Sequence, residues 1–507
     1  MNATIDLRVD GEDQMVLLGE DLALALREGD ALLLSGPLGA GKTVLARAIL
    51  RALADDDALE VPSPTYTLCQ TYETSRLAVS HYDFYRLGEA DEALELGLGE
   101  AVANGAAIIE WPEHAVEHVS GDRVTVSIEP GENGRRKLEL GGGDGATKGS
   151  SLMRRIKRTL EIRAFLDNEW GAGVKRRFLQ GDASSRRYET AALSGETRIL
   201  MDAPEQPDGP PVADGLPYSR IAHLAENVRP FIAIDGILRE AGFAAPEIFA
   251  RDADTGLLLI EHLGSEAIVR EGEPVDRRYL AAAGLLAQMH VRQWPQEIGY
   301  DDGSGQPAQH HIPNYDPQCM MMEVSLFADW YVPFRTGRPL GEEARAQFEQ
   351  IWREIISVAR QGEKTLVLRD YHSPNLIWRE DRPFPQNLGL IDFQDALAGP
   401  CTYDVASLAQ DARIDIPEPL ERAIVTHYLE ARERYGKPAG PDFARDYAIM
   451  AAQRATKILG IFVRLNERDG KPVYLNHLPR LRDYLRRSLE HEVLSGYRQW
   501  LEENHAL

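Results

Sequence analysis

Two groups of residues in this 507-residue chain have the types and spacing that phosphate chemistry needs. The first is Gly36-Pro37-Leu38-Gly39-Ala40-Gly41-Lys42-Thr43, a complete GxxxxGK[ST] loop. Glycines at 36, 39 and 41 let the backbone bend so that successive N–H groups, Ala40 between them, point at an anion. Lys42 can then reach β- and γ-phosphates, and the Thr43 hydroxyl can ligate magnesium. The second group is Asp370, Asn375 five residues on, and Asp392 after the apolar run Leu388–Ile391. Transfer of a γ-phosphoryl group is mostly positioning and charge neutralisation. Asp370 can accept a proton from a substrate hydroxyl, Asn375 can ligate magnesium from the same loop, and Asp392 can bridge metal and phosphates. The turn Gln180–Tyr188, with Gly181, Ser184, Ser185 and Arg187, can cover phosphates between two strands.

These residues need elements to hold them. Ala31–Ser35 reads as a buried strand entering the Gly-rich loop, Lys42–Leu53 as the following helix, and Ala106–Glu110 as a second buried strand ending on an acid. Such alternation implies an α/β sheet. Composition then changes at Gly141–Ser151, so residues 1–140 form one domain, 141–158 a Gly/Ser-rich linker and 159–507 a second domain. The second domain opens with strand-like Lys175–Leu179 and Thr197–Met201 and becomes largely helical. Phe443, Tyr447, Met450, Ala451, Ile458, Phe462 and Leu465 share one helical stripe, which core packing explains.

The chain is 43% hydrophobic and 27% charged, the composition of a soluble globular protein of two or three domains. Its formal charge of −24 comes without a Lys/Arg block, which disfavours direct, tight nucleic-acid binding. Three scattered cysteines, an acidic start without an apolar stretch and the absence of a spanning apolar run point to the cytoplasm and away from membranes. His81 lacks companions at metal-ligand spacing and reads as structural.

Three further segments narrow the first domain: Ser63-Pro64-Thr65-Tyr66-Thr67, His81-Tyr82-Asp83-Phe84-Tyr85-Arg86-Leu87 and Glu110-Trp111-Pro112-Glu113. With the loop, they resemble the small P-loop ATPases of bacterial tRNA threonylcarbamoyladenosine formation, the TsaE type. The resemblance implies that Glu110 helps hold magnesium and that Asp83 positions the attacking water or helps hold the metal. It also implies that Thr65 senses the γ-phosphate, that Trp111 lies beside the nucleotide, and that the partner is a tRNA-modifying transferase complex.

Asp370-Tyr371-His372-Ser373-Pro374-Asn375 and Ile391-Asp392-Phe393 resemble the catalytic loop and metal strand of aminoglycoside phosphotransferase-like kinases. The expected architecture is therefore a P-loop α/β domain fused to an α+β, two-lobed kinase-like domain, with lobes at about 159–262 and 263–507. The resemblance implies an adenine-binding hinge at Glu261 to Leu263 and a bracing role for Asp404. Two departures stand out. Leu368 replaces the usual first histidine, so Arg369 must help set the loop. Ile199–Pro204 lacks the usual strand lysine, and Arg186, Arg187 or Lys175 could replace it.

The segments from Gly181 to Tyr188, Leu200 to Pro204, Leu368 to Trp378 and Gln453 to Leu465 resemble anomeric N-acetylmuramate/N-acetylglucosamine kinases of peptidoglycan recycling. Such an acceptor presents an acidic anomeric hydroxyl, for which a carboxylate base is adequate. Glu323, Asp329 and Trp330 lie where related kinases shape the acceptor pocket. A kinase for choline, homoserine or an aminoglycoside is the alternative, and a nucleotide-binding module without catalysis is another.

Overall fold

The computed structural model describes residues 4–141, 150–179, 186–213 and 215–507, arranged as two compact units, 1–201 and 202–507. The first unit is built on a seven-stranded sheet in the order β1-β7-β6-β2-β5-β4-β3. Its strands are β1 (Ile5–Asp10), β2 (Asp30–Ser35), β3 (Cys69–Glu73), β4 (Ala78–Asp83), β5 (Ala106–Glu110), β6 (Asp122–Pro130) and β7 (Arg135–Gly141). The centre is parallel: β2 pairs with β5 and β6, and β4 pairs with β5. Ala31 to Leu34 and Ala106 to Ile109 are buried without alternation, as expected for strands covered on both faces.

Helices α1 (Gly11–Ala25) and α2 (Lys42–Ala54) cover one face, and the short α3 (Glu92–Glu95) and α4 (Leu98–Ala103) cover the other. The three strands that matter for chemistry end level with one another. Leu34 and Asp83 each lie in register with Glu110, so the loop after β2 and both acids meet at one edge of the sheet. That edge, at the carboxyl ends of parallel strands, is where α/β folds bind ligands.

The stretch expected as linker differs from that expectation in part. Residues 142–149 lie outside the described residues, but a helix, α5 (Ser151–Glu169), begins at Ser151. Ser150 caps it by accepting from Met153 N, and Asp122 of β6 accepts from Ser150 Oγ at 2.6 Å and Ser151 Oγ at 2.8 Å. Leu152, Met153 and Ile156 of α5 enter the core beneath α1 and α2. The apolar spacing that follows the Gly-rich segment builds a further layer on α1 and α2.

Strands β8 (Lys175–Leu179), β9 (Arg187–Leu193) and β10 (Glu196–Asp202) lie side by side after α5, with β8 and β9 antiparallel. Arg176 of β8 is fully buried; it donates to Asp21 of α1 at 2.6 Å and, through two nitrogens, to Glu189 of β9 at 2.7 and 3.0 Å. Arg163 of α5 donates to both oxygens of Asp21, at 3.0 and 2.9 Å. Arg177 reaches Glu20, Asp55 and Asp57. Burial opposes the Arg176 charge, but Glu189 and Asp21 outweigh it and raise its pKa.

The second unit is mainly helical. Among its antiparallel strand pairs are Ile248–Asp252 with Leu257–Glu261, Leu376–Trp378 with Leu388–Leu390, and Lys364–Val367 with the later Leu397–Pro400. The helix Phe443–Glu467 is its spine, buried along most of its length from Ala448 to Leu465; of the expected stripe, Met450, Ala451, Ile458, Phe462 and Leu465 are buried, while Phe443 and Tyr447 are half-buried. Gly460 permits a close crossing, since a Cβ there would lie closer than 3.0 Å to the carbonyl of Leu326 in the helix Pro317–Leu326. Among the described residues no helix is long and apolar enough to cross a membrane.

Candidate active sites

In the first unit the loop between β2 and α2 has Gly36, Gly39 and Gly41 at φ of 142°, 79° and 107°, a backbone open to glycine. At Gly36 a side chain would also strike the carbonyl of Ile128. Lys42 Nζ donates to the carbonyls of Gly36 at 2.8 Å and Pro37 at 3.1 Å, and lies 3.7 Å over the Trp111 ring. Burial lowers its pKa, while Glu110, Glu113 and Asp83 oppose the shift. Thr43 Oγ1 donates to Glu110 Oε2 at 2.9 Å, so the two expected magnesium ligands already touch. Asp83 Oδ2 accepts from Ser63 and Thr65 hydroxyls, both at 2.7 Å, while its Oδ1 caps Tyr85 N at 3.0 Å.

Three participants here were not legible as such. His81 is no passive filler: its Nε2 lies 3.0 Å from Glu110 Oε1, deep in the sheet. Ser63 shares Asp83 with Thr65. Arg136 of β7 donates from Nε to Ala40 O at 2.9 Å and stands against Gly41. The signal for His81 was alternation in β4, which puts it in register with Ile108 and beside the β5 acid; Arg136 has no local signal at all.

In the second unit, Arg369 turns the chain at φ 68° just after the strand Lys364–Val367. Asp404 holds that turn by accepting from Leu368 N at 2.6 Å and Arg369 N at 3.0 Å. Burial raises the Asp404 pKa to about 7 against those two hydrogen bonds. Asn375 Nδ2 donates to the Asp370 carbonyl at 2.9 Å and to Asp392 Oδ2 at 3.4 Å, which brings the three expected residues into one cluster. Asp392 adopts φ 59°, and Gln394 donates to its Oδ1 at 2.8 Å. Acid and amide side by side suit a hard cation bound jointly with phosphate oxygens.

Arg369 does more than shape the loop. Its guanidinium donates to Glu323 and to Ala222 O, and Glu323 also accepts from Lys457 at 2.7 Å, Gln453 at 2.8 Å and Tyr315. Burial would raise the Glu323 pKa, but Lys457 and Arg369 together hold it down at about 2. Of the residues expected around an acceptor, Glu323 is thus buried against Arg369, Trp330 is half-buried, and Asp329 is exposed and paired with Arg345.

Glu261 ends its strand, donating from N to Glu247 O at 2.8 Å, and Leu263 is buried two residues on. Among the candidate replacements for the strand lysine, Lys175 is engaged elsewhere, 3.1 Å from Asp57. Arg187 is exposed and lies in the field of Arg27 and Arg76. Gly181, Ser184 and Ser185 lie outside the described residues.

Residues 9–138 match the family profile of the threonylcarbamoyl adenosine biosynthesis protein TsaE, and residues 175–440 match that of the phosphotransferase enzyme family. An N-acetylmuramate/N-acetylglucosamine kinase of Caulobacter vibrioides is 33% identical over 351 residues, 67% of this chain and 94% of that protein. The tRNA threonylcarbamoyladenosine biosynthesis protein TsaE of Rickettsia conorii is 35% identical over 132 residues, 26% of this chain and 75% of that one. An ADP-bound aminoglycoside phosphotransferase structure, 15% identical, covers 63% of this chain and 96% of its own, with a TM-score of 0.39.

Proposed function

Because the chain belongs to the phosphotransferase enzyme family over residues 175–440 and to the TsaE family over residues 9–138, we propose that it is a bifunctional enzyme. One site hydrolyses ATP in support of tRNA threonylcarbamoyladenosine formation, with the proteins of the transferase complex as partners. The other transfers the γ-phosphoryl group of ATP to the anomeric hydroxyl of N-acetylmuramate or N-acetylglucosamine, giving the sugar 1-phosphate. The observation that supports the second activity most is the Asp370–Asn375–Asp392 cluster, in a chain that is similar to the Caulobacter kinase over 94% of that kinase.

Asp370 takes the proton of the anomeric hydroxyl as its oxygen attacks phosphorus. Asn375 and Asp392 would hold Mg2+, which when bound neutralises the β- and γ-phosphate oxygens. Asp404 and Glu323 position the base, one through the backbone of residues 368 and 369 and the other through the Arg369 guanidinium. The backbone between Glu261 and Leu263 would receive adenine. In the first unit, the loop amides and Lys42 cradle the phosphates, Thr43 and Glu110 would hold Mg2+, and Asp83 orients water. Trp111 flanks the nucleotide there. The domain boundaries proposed are an ATPase unit through residue 140 and a kinase from residue 159.

The test uses the full chain with labelled ATP and a panel of N-acetylmuramate, N-acetylglucosamine, choline, homoserine and an aminoglycoside. Label should reach the two sugars; Asp370→Asn should lower that transfer by about 10²- to 10⁴-fold, and Lys42→Ala should spare it. ATP hydrolysis that survives Asp370→Asn should vanish when Lys42→Ala is added. Label on choline and none on either sugar overturns the acceptor assignment.

A further inference from the structure

The helix Phe443–Glu467 turns Gln453 and Lys457 toward Glu323, and Arg464 follows two turns later on the same side. The first two are spoken for by that carboxylate. Arg464 is not. No carboxylate lies within ion-pair distance of it among the described residues, and its Nε is buried without a hydrogen-bond partner. Its guanidinium sits 5.1 Å from the centre of the Tyr218 ring. Asp469, an acid in its field, already accepts from Arg468 at 2.7 and 3.0 Å. Burial lowers the Arg464 pKa, and Tyr218, with which it shares a hydrogen bond, and Asp469 offset that only in part. A half-buried cation stacked on an aromatic ring, short of an anion, is an unfinished pair.

Its place in the fold says which anion could finish it. Tyr218 opens the one-turn helix Tyr218–Ile221, and the carbonyl of the next residue, Ala222, accepts from Arg369 at 2.8 Å. Arg369 is the neighbour of Asp370. Contacts thus run from the residue beside Asp370 through Ala222, whose N donates to the Tyr218 carbonyl at 2.8 Å, to Tyr218 and Arg464. Lys457 and Arg464 are about 10 Å apart along the helix. A pyranose presenting its anomeric oxygen to a base carries a 3-O-linked carboxylate on the order of 7 Å away, from bond lengths of ~1.5 Å.

We propose that Arg464 determines acceptor specificity by receiving a carboxylate on the sugar, its guanidinium plane held by Tyr218. The assignment rests on the amino-sugar kinase reading and sharpens it. N-acetylmuramate has such a group, its lactyl carboxylate; N-acetylglucosamine has none. A fork-shaped donor pair matches a carboxylate in two bonds, and the Lys457 ammonium is already engaged by Glu323.

The experiment measures kcat and KM for both sugars with the full chain and its Arg464→Gln and Arg464→Lys variants, alongside their melting temperatures. Arg464→Gln should raise KM for N-acetylmuramate about ten- to a hundredfold, in line with loss of a charge-assisted bond, and change N-acetylglucosamine less than twofold. Arg464→Lys should recover part of the loss. Equal loss on both sugars, or no change on either, overturns the assignment while the kinase reading stands. A wild-type chain that phosphorylates neither sugar removes the kinase reading and the assignment together.

Discussion

Asp21→Ala is the most demanding test of how the first unit is held together. Asp21 is buried and serves two arginines: Arg163 of α5 through both oxygens and the fully buried Arg176 of β8 at 2.6 Å. Removing one partner of a buried pair costs about 3–5 kcal/mol, because the remaining charge stays desolvated. Arg176 keeps Glu189 and the Thr159 carbonyl, so the lower end, about 3 kcal/mol, is expected. For a unit of this size each kcal/mol shifts the midpoint by roughly 2–4 °C, which puts the fall near 10 °C. Calorimetry of the full chain should show that fall in one transition while a second, from residues 202–507, stays in place. A variant melting within a degree or two of wild type would refute the reasoning. The same logic predicts that a fragment starting near residue 150 is a poor substitute for the whole protein, since it keeps Arg163 and Arg176 and discards Glu20 and Asp21.

Other outcomes follow from single contacts. Gly460→Ala should cost about 1–3 kcal/mol, because its Cβ would strike the Leu326 carbonyl and push Glu323 away from Lys457; unchanged stability would place the two helices further apart. Glu323, held near 2, contributes stability that is complete above its unfolded value of about 4.3 and is lost as pH falls from there toward 2. The acid limb of the second unit's melting curve should accordingly flatten in Glu323→Gln, as pH-dependent calorimetry would reveal. Arg136→Ala frees the Ala40 carbonyl from its side-chain donor and should weaken nucleotide binding at the P-loop about two- to tenfold, read by titration in an Asp370→Asn background.

Much of both sites could be read from the chain because their residues are close in sequence or sit at strand ends. The Gly36–Thr43 loop is contiguous, and Asp370, Asn375 and Asp392 fall within one loop and one hairpin. Partners brought in by topology could not be read. Nothing local joins Arg136 to Ala40, or Glu323 to Lys457 and Arg369. Arg163, Arg176 and Asp21 look like ordinary solvated charges until α5 stacks on α1. The helix α5 has a local signature, since Leu152, Ile156, Leu160 and Leu166 keep a helical period behind the Ser150 cap, but the Gly-rich segment before it has the composition of a linker.

The contact between Lys42 and Trp111 has a bearing on what the loop will accept. The ammonium already has two carbonyl oxygens and an indole face, so any newcomer competes with the protein for it. A polyphosphate concentrates enough negative charge to draw the lysine across; adenosine, or adenosine with one phosphate, does not. The pocket thereby discriminates against adenosine and its monophosphate, and the uncovered indole offers an optical signal each time a polyphosphate is admitted.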